Sequence, residues 1–142
     1  MAPLVSVIEI ACPPREVFAV ATQPLRFADW QPDVVRVQLL AASRFATTRR
    51  MTGGERTIVQ EITHNDPPNS WAARAVDGPV RPHATISVEP VGAGSRVTFT
   101  LDFEGHGLGV ALLPLVRRQA ERAAPTSYRN LKKLLEGDPS RR

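Results

Sequence analysis

The sequence predicts an α+β fold in which a seven-stranded antiparallel sheet curves around a long C-terminal helix. Three observations carry this reading. Strand-like segments separated by regular turn signals fill the middle of the chain, one amphipathic helix of about 25 residues follows all of them, and the middle of that helix's apolar stripe is built from Ala and Ser. A sheet whose strands all precede one long helix must fold back around it if the apolar faces of both are to be buried. Large residues at the two ends of the stripe can pin the helix to the sheet while the small ones in its centre stand off from it, so a hollow is expected between the layers. Close packing through the alanines is the alternative, because protein interiors normally fill.

The first strand covers residues 4–10, and Pro13-Pro14-Arg15-Glu16-Val17-Phe18 then opens a pair of short helices that ends at Trp30. Gly53-Gly54, Asp66-Pro67-Pro68-Asn69, Asp77-Gly78-Pro79 and Gly92-Ala93-Gly94-Ser95 are turn signals separating segments rich in Val, Ile, Thr and Phe. They divide the middle into hairpins with strands at 34–40, 45–52, 55–64, 70–76, 80–89 and 96–104. Period-two alternation assigns the faces. Val97, Phe99, Leu101 and Phe103 point inward from the last strand, and Ala84, Ile86 and Val88 from the one before it. Ile58, Gln60, Ile62 and His64 share an inward face, which puts an amide among apolar neighbours, where it needs a partner. On the next strand the parities of Trp71 and Arg74 conflict, so one of the two faces the interior and the other does not.

In the closing helix, Leu112, Val116, Ala120, Ala123, Ala124, Ser127, Leu131 and Leu134 fall in one arc, opposite Arg118, Glu121, Arg122, Arg129, Lys132, Lys133 and Glu136. The large residues at both ends of the stripe are expected to pin the helix to the sheet. Pro114 and Pro125 each remove a helical hydrogen bond, so a bend or a break is expected near Ala124.

Length and composition suit one domain, assigned to residues 1–137 with a basic tail at 138–142. Cys12 is the single cysteine, which rules out an intrachain disulfide, and its surroundings in sequence give no reason for reactivity. No segment reads as a signal peptide or a membrane span, and a cytoplasmic location is the default expectation. Residues 1–108 hold 10 basic and 11 acidic side chains, whereas residues 109–142 hold 8 and 3. The basicity therefore belongs to the last helix and tail. That face suits peripheral contact with an anionic membrane or a partner, but it carries no aromatic residue to stack on bases, so nucleic acid is not expected. The three histidines, His64, His83 and His106, lack metal-ligand spacing, and no metal or other cofactor is expected. Gly105-His106-Gly107-Leu108-Gly109 does not complete a dinucleotide fingerprint, since Val110 stands where that pattern has Gly; it reads as a hinge into the helix at the cavity rim.

The strand, the Pro-Pro-x-x-Val-Phe helix, the short helix ending in Trp30, the six-strand meander with its Asp66-Pro67-Pro68 and Gly78-Pro79 turns, Glu89-Pro90-Val91-Gly92, and the terminal Leu131-Lys132-Lys133-Leu134-Leu135-Glu136 occur in one order. That series resembles the START-like polyketide cyclase/dehydrase superfamily over essentially the whole chain. The resemblance implies a helix-grip fold: a curved seven-stranded sheet around the last helix, two short helices between the first two strands, and a cavity for hydrophobic or amphipathic ligands.

The leading expectation is a carrier or sensor of a lipid-like or polyketide-like molecule, with oligomeric state left open by the sequence. Phe27, Trp30, Trp71, Ile86, Phe99, Leu101 and Phe103 are the expected walls, with Val116, Ala120, Ala123 and Ser127 on the helix side. Trp30 suits either a plug or a wall. Gln60 and Arg74 are the expected polar anchors. In the alternative, a cyclase or dehydratase, Arg74, Gln60 and His64 orient or protonate the substrate. Aromatase/cyclases that the chain resembles place Ser and Arg on the strand matching 55–64, where this chain reads Ile58, Gln60 and Ile62 instead. A third expectation is a surface protein acting through the basic helix face.

Overall fold

A computed structural model of the protein describes residues 2–51 and 53–137. The strands are β1 (Leu4–Ile10), β2 (Val34–Ala41), β3 (Arg44–Met51), β4 (Gly54–Asp66), β5 (Ser70–Ala75), β6 (Val80–Val91) and β7 (Gly94–Gly105). Helix α1 (Pro14–Ala21) and a 3-10 helix (Pro24–Asp29) lie between β1 and β2, and α2 (Gly109–Glu136) follows the last strand. This is the α+β helix-grip architecture. The end of the expected third strand at Thr52 and the tail at 138–142 lie outside the described residues.

The sheet order is β1-β7-β6-β5-β4-β3-β2, with every pair antiparallel. Strands β2 to β7 are a plain meander, as their hairpin turns require. The first strand is added beside the last, with Leu4 opposite Leu101 and Ile10 opposite Ser95. The two short helices therefore carry the chain from one edge of the sheet to the other, closing one end of its concave face. Pro13 precedes α1 in an extended conformation with Pro14 at the first helical position, where its missing N–H costs nothing. The helix buries Val17, Phe18, Val20 and Ala21, and the 3-10 helix buries Pro24 and Phe27.

Helix α2 is continuous through both prolines, so of the bend or break expected near Ala124 the break does not occur. Its two ends differ. Leu131 and Leu135 are buried against the core that contains Ile10, Val17, Val88 and Val97. By contrast Leu112 is 38% and Leu115 53% exposed, so the helix is not pinned at its first turns by large apolar side chains as the wheel suggests. What fixes that end is backbone. A Cβ on Gly109 would run into the Pro79 carbonyl, so only glycine lets the helix start this close to the β5–β6 turn, where the His106 N–H also donates to the Pro79 oxygen at 2.8 Å.

The C-terminal end is held by polar contacts as well. The Ala11 N–H donates to Glu136 Oε2 at 2.7 Å, Lys132 Nζ donates to the same oxygen at 2.8 Å and to the Glu9 carbonyl at 2.6 Å, and Ser95 Oγ donates to the Cys12 carbonyl at 2.6 Å. Cys12 is buried, its thiol donating to the Leu135 carbonyl at 3.3 Å. These bonds join the end of α2, the β1–α1 junction and the start of β7.

Two outcomes test this anchor. Leu131→Ala empties a fully buried site and is expected to cost about 2–5 kcal/mol in denaturant unfolding. Burial disfavours the Glu136 carboxylate, but the Lys132 and Ala11 hydrogen bonds and the Lys132 charge outweigh it and hold its pKa below the usual value. A group with a lowered folded pKa adds stability above the unfolded carboxylate range and loses it as pH falls through the folded value. Glu136→Gln is therefore expected to melt below the parent chain at neutral pH, with the two melting temperatures converging on acidification toward pH ~3.

Candidate functional site

Between the concave face of the sheet and α2 lies a cavity of about 280 Å³. The sequence-expected walls Phe27, Trp30, Trp71, Ile86, Phe99, Leu101 and Phe103 all line it, as do Val116, Ala120, Ala123 and Ser127 on the helix. Its floor is deep: Phe27, Trp30, Trp71, Ile86 and Phe99 are nearly inaccessible. The rim is open, with Arg56, Leu112 and Leu115 exposed. Alternation on β6 and β7 puts Ala84, Ile86, Phe99, Leu101 and Phe103 on one surface, and the small helix residues 120, 123, 124 and 127 face them across the gap.

The floor is an aromatic cluster. Phe27 meets Trp30, Phe45 and Trp71 edge-on at centroid distances of 6.1, 5.8 and 6.2 Å, so it links the two tryptophans. Phe99 stacks on Tyr128 at 4.0 Å. Trp30 is therefore both part of the packed floor and part of the cavity wall. Its indole N–H is buried without a hydrogen-bond partner among the described residues, while its carbonyl accepts from Asn130 Nδ2 at 3.3 Å.

Gln60 is buried on the cavity wall, and Thr47 Oγ1 of the neighbouring strand donates to its Oε1 at 2.9 Å. This is the partner its burial calls for, and it lies within the sheet rather than in the cavity. Two other sequence-expected residues stand elsewhere. Arg74 is exposed on the outer face, in register with Glu61 and His83, while Trp71 takes the inward position. Three residues along a strand reverse the face, so the burial of the large indole puts the guanidinium in water.

His64 is also exposed, its Nε2 2.7 Å from Ser70 Oγ. Pairing slips between Ile62, opposite Ala73, and His64, opposite Ala72. Since Ala73 is fully buried, the slip moves His64 to the other side of the sheet. Simple alternation put it inward because the extra residue leaves no mark in the sequence. His106 lies in the turn before α2 and does not line the cavity. Among the described residues no His, Cys, Asp and Glu group is arranged to hold a metal.

Beside Gln60 and Ser127, the polar lining of the cavity includes residues that alternation alone did not single out, among them Asp33, Arg49, Arg56, Gln119 and Tyr128. Arg49 Nη1 lies 3.1 Å from Asp33 Oδ2, each side chain about a quarter exposed at 27%. Burial pushes the Tyr128 phenol up to about 12, against the opposing pull of Arg49. At neutral pH it is a neutral donor rather than a base. A signal for Arg49 was present: it shares parity with Phe45 and Thr47, both buried. Tyr128 adjoins Ser127 on the helix, and its inclusion depends on the width of the gap, which the wheel does not give.

No helix among the described residues is long and apolar enough to cross a membrane. No curated protein matches the sequence significantly. Solved structures do match in fold. A START superfamily protein from Mycobacterium smegmatis superposes with a TM-score of 0.79 at 14% identity, covering 95% of this chain and 97% of that one. A protein from Thermus thermophilus gives 0.78 at 20% identity over 93% and 95% of the two chains. The di-domain aromatase/cyclase of the BE-7585A biosynthetic pathway gives 0.74 at 19% identity, with 93% of this chain covering 45% of that protein. The family model described as polyketide cyclase/dehydrase and lipid transport matches residues 1–136. With its helix-grip sheet and the cavity beneath α2, the chain belongs to the polyketide cyclase/dehydrase and lipid transport family.

Proposed function

We propose that this protein binds a hydrophobic or amphipathic small molecule between the sheet and α2, as a carrier or sensor. Membership of the family implies hydrophobic-ligand binding or cyclase activity. The observation that carries the finer reading is the cavity itself: about 280 Å³, with an aromatic floor and a rim that combines Leu112 and Leu115 with Arg56. That volume is close to the lower end of the ~300–1,000 Å³ typical of small-molecule sites. An apolar ligand replaces water over aromatic surface, at about 25 cal/mol per Å² removed from water. Phe99, Leu101 and Phe103 are the contacts proposed on the sheet, and Val116, Ala120 and Ala123 those on the helix.

A second reading, a polyketide cyclase or dehydratase, draws support from Tyr128 and Arg49, which both line the cavity. A protonated phenol donates to a carbonyl oxygen, and a guanidinium stabilises the negative charge that develops there as an aldol bond forms. In this reading Arg49 and Tyr128 take the places first given to Arg74 and His64, both of which face away from the cavity, and Gln60 orients the chain.

Native mass spectrometry of the protein purified without detergent, with extraction of any adduct, is expected to find a hydrophobic molecule bound one to one. Ala123→Trp fills the gap from the helix side and is expected to abolish binding of the neutral dye Nile red with little change in melting temperature. An unaltered dye affinity in that variant would count against the cavity as the binding site. Under the second reading Tyr128→Phe lowers turnover of a poly-β-keto substrate by about 10²–10⁴-fold; under the carrier reading it alters affinity alone.

A further inference from the structure

Two arginines confront each other at the open end of the cavity. Arg49 on β3 and Arg56 on β4 are direct cross-strand partners in the antiparallel register, and both line the cavity. Like charges placed directly opposite destabilise a strand pair. Asp33 answers one of them, at 3.1 Å from Arg49. Arg56 makes no ion pair with any described residue. Among the described residues lining the cavity Asp33 is the sole acid, so its rim carries one uncompensated positive charge above an apolar floor.

The ion pairs nearby do not change this balance. Glu55 reaches Arg36 at 3.9 Å, and Glu121 of α2 is 3.6 Å from Arg117. Neither carboxylate lines the cavity. The Tyr128 phenol, held protonated by its burial, is a further donor in the same wall.

We infer that the natural ligand is an amphipathic carboxylate, its apolar body on the aromatic floor and its carboxylate at the Arg49–Arg56 pair. The inference rests on the ligand-binding reading above and names the chemical class of its ligand. A carboxylate between the two guanidinium groups accepts charge-assisted hydrogen bonds and removes the repulsion between them. An uncharged alcohol of the same length gains the apolar contacts and forgoes the rest. Without the arginine pair the order reverses, since a carboxylate is far more costly to take out of water than a hydroxyl.

The test is displacement of Nile red by decanoate and by 1-decanol at about pH 7.5, where the carboxylate is ionised. In the parent chain decanoate is expected to bind about tenfold or more tightly than decanol, and to weaken as salt is raised. Arg56→Gln and Arg49→Gln are expected to erase that preference while leaving decanol affinity within about twofold, and Arg56→Lys to retain most of it. Arg74→Gln, on the outer face, is the charge control and is expected to behave as the parent. Arg56 is exposed and without an ion pair among the described residues, so its replacement is expected to leave the melting temperature unchanged or higher. Equal or tighter binding of decanol by the parent chain overturns the inference and leaves the cavity reading standing. So does a decanoate preference that survives Arg56→Gln, or that Arg74→Gln also removes. Failure of both decyl compounds and the dye to bind overturns the cavity reading and this inference with it.

Discussion

The cavity exists because α2 is tied down differently at its two ends. At its C-terminal end, Leu131 and Leu135 enter the core, and Glu136 and Lys132 bond the backbone at Glu9 and Ala11. At its N-terminal end the helix is set by the close approach of Gly109 to Pro79, with its leucines left partly in water. Between these anchors Ala120, Ala123, Ala124 and Ser127 line the cavity and are too short to cross the gap, which the neighbouring Tyr128 bridges by stacking on Phe99. Close packing would fill it if larger side chains stood there. The hollow therefore follows from fixed ends and a small-residue middle.

The floor and the rim of this hollow do separate physical jobs. Phe27, Phe45, Trp71, Trp30, Phe99 and Tyr128 form one connected set of rings, so the floor is a rigid continuation of the core. Among the described residues the charged groups on the cavity wall lie near strand ends: Asp33 just before β2, Arg49 near the end of β3 and Arg56 near the start of β4. Gln60 is satisfied by Thr47 inside the sheet, whereas the charges sit where water still screens them. Such a division suits a molecule with an apolar body and a polar end.

The similarities with solved structures bear on the same point. A fold shared with a START superfamily protein and with an aromatase/cyclase at 14% and 19% identity does not by itself fix the chemistry. What bears on the chemistry of this chain is the set of side chains at its cavity wall. Arginines opposed across β3 and β4, one carboxylate, and a phenol kept neutral by burial are features of these residues rather than of the architecture.

Much of the fold was legible in the sequence, because the turn residues and the period-two pattern are local signals. They located β1, the six-strand meander and the faces of β6 and β7, and the helical period located the stripe on α2. Gln60 was legible as a buried amide, and the wall residues from Phe27 to Ser127 as one surface. The tertiary structure decided the rest. Whether Trp71 or Arg74 faces inward depends on which side chain burial favours once the sheet curves over the helix. His64 turns outward because of a register slip that only the pairing of β4 with β5 defines. Arg49 and Arg56 meet because a hairpin aligns them, and Tyr128 joins the wall because of the distance at which α2 is held. Local periodicity determines which residues share a face; which faces meet, and how far apart, is set by long-range packing that no local segment encodes.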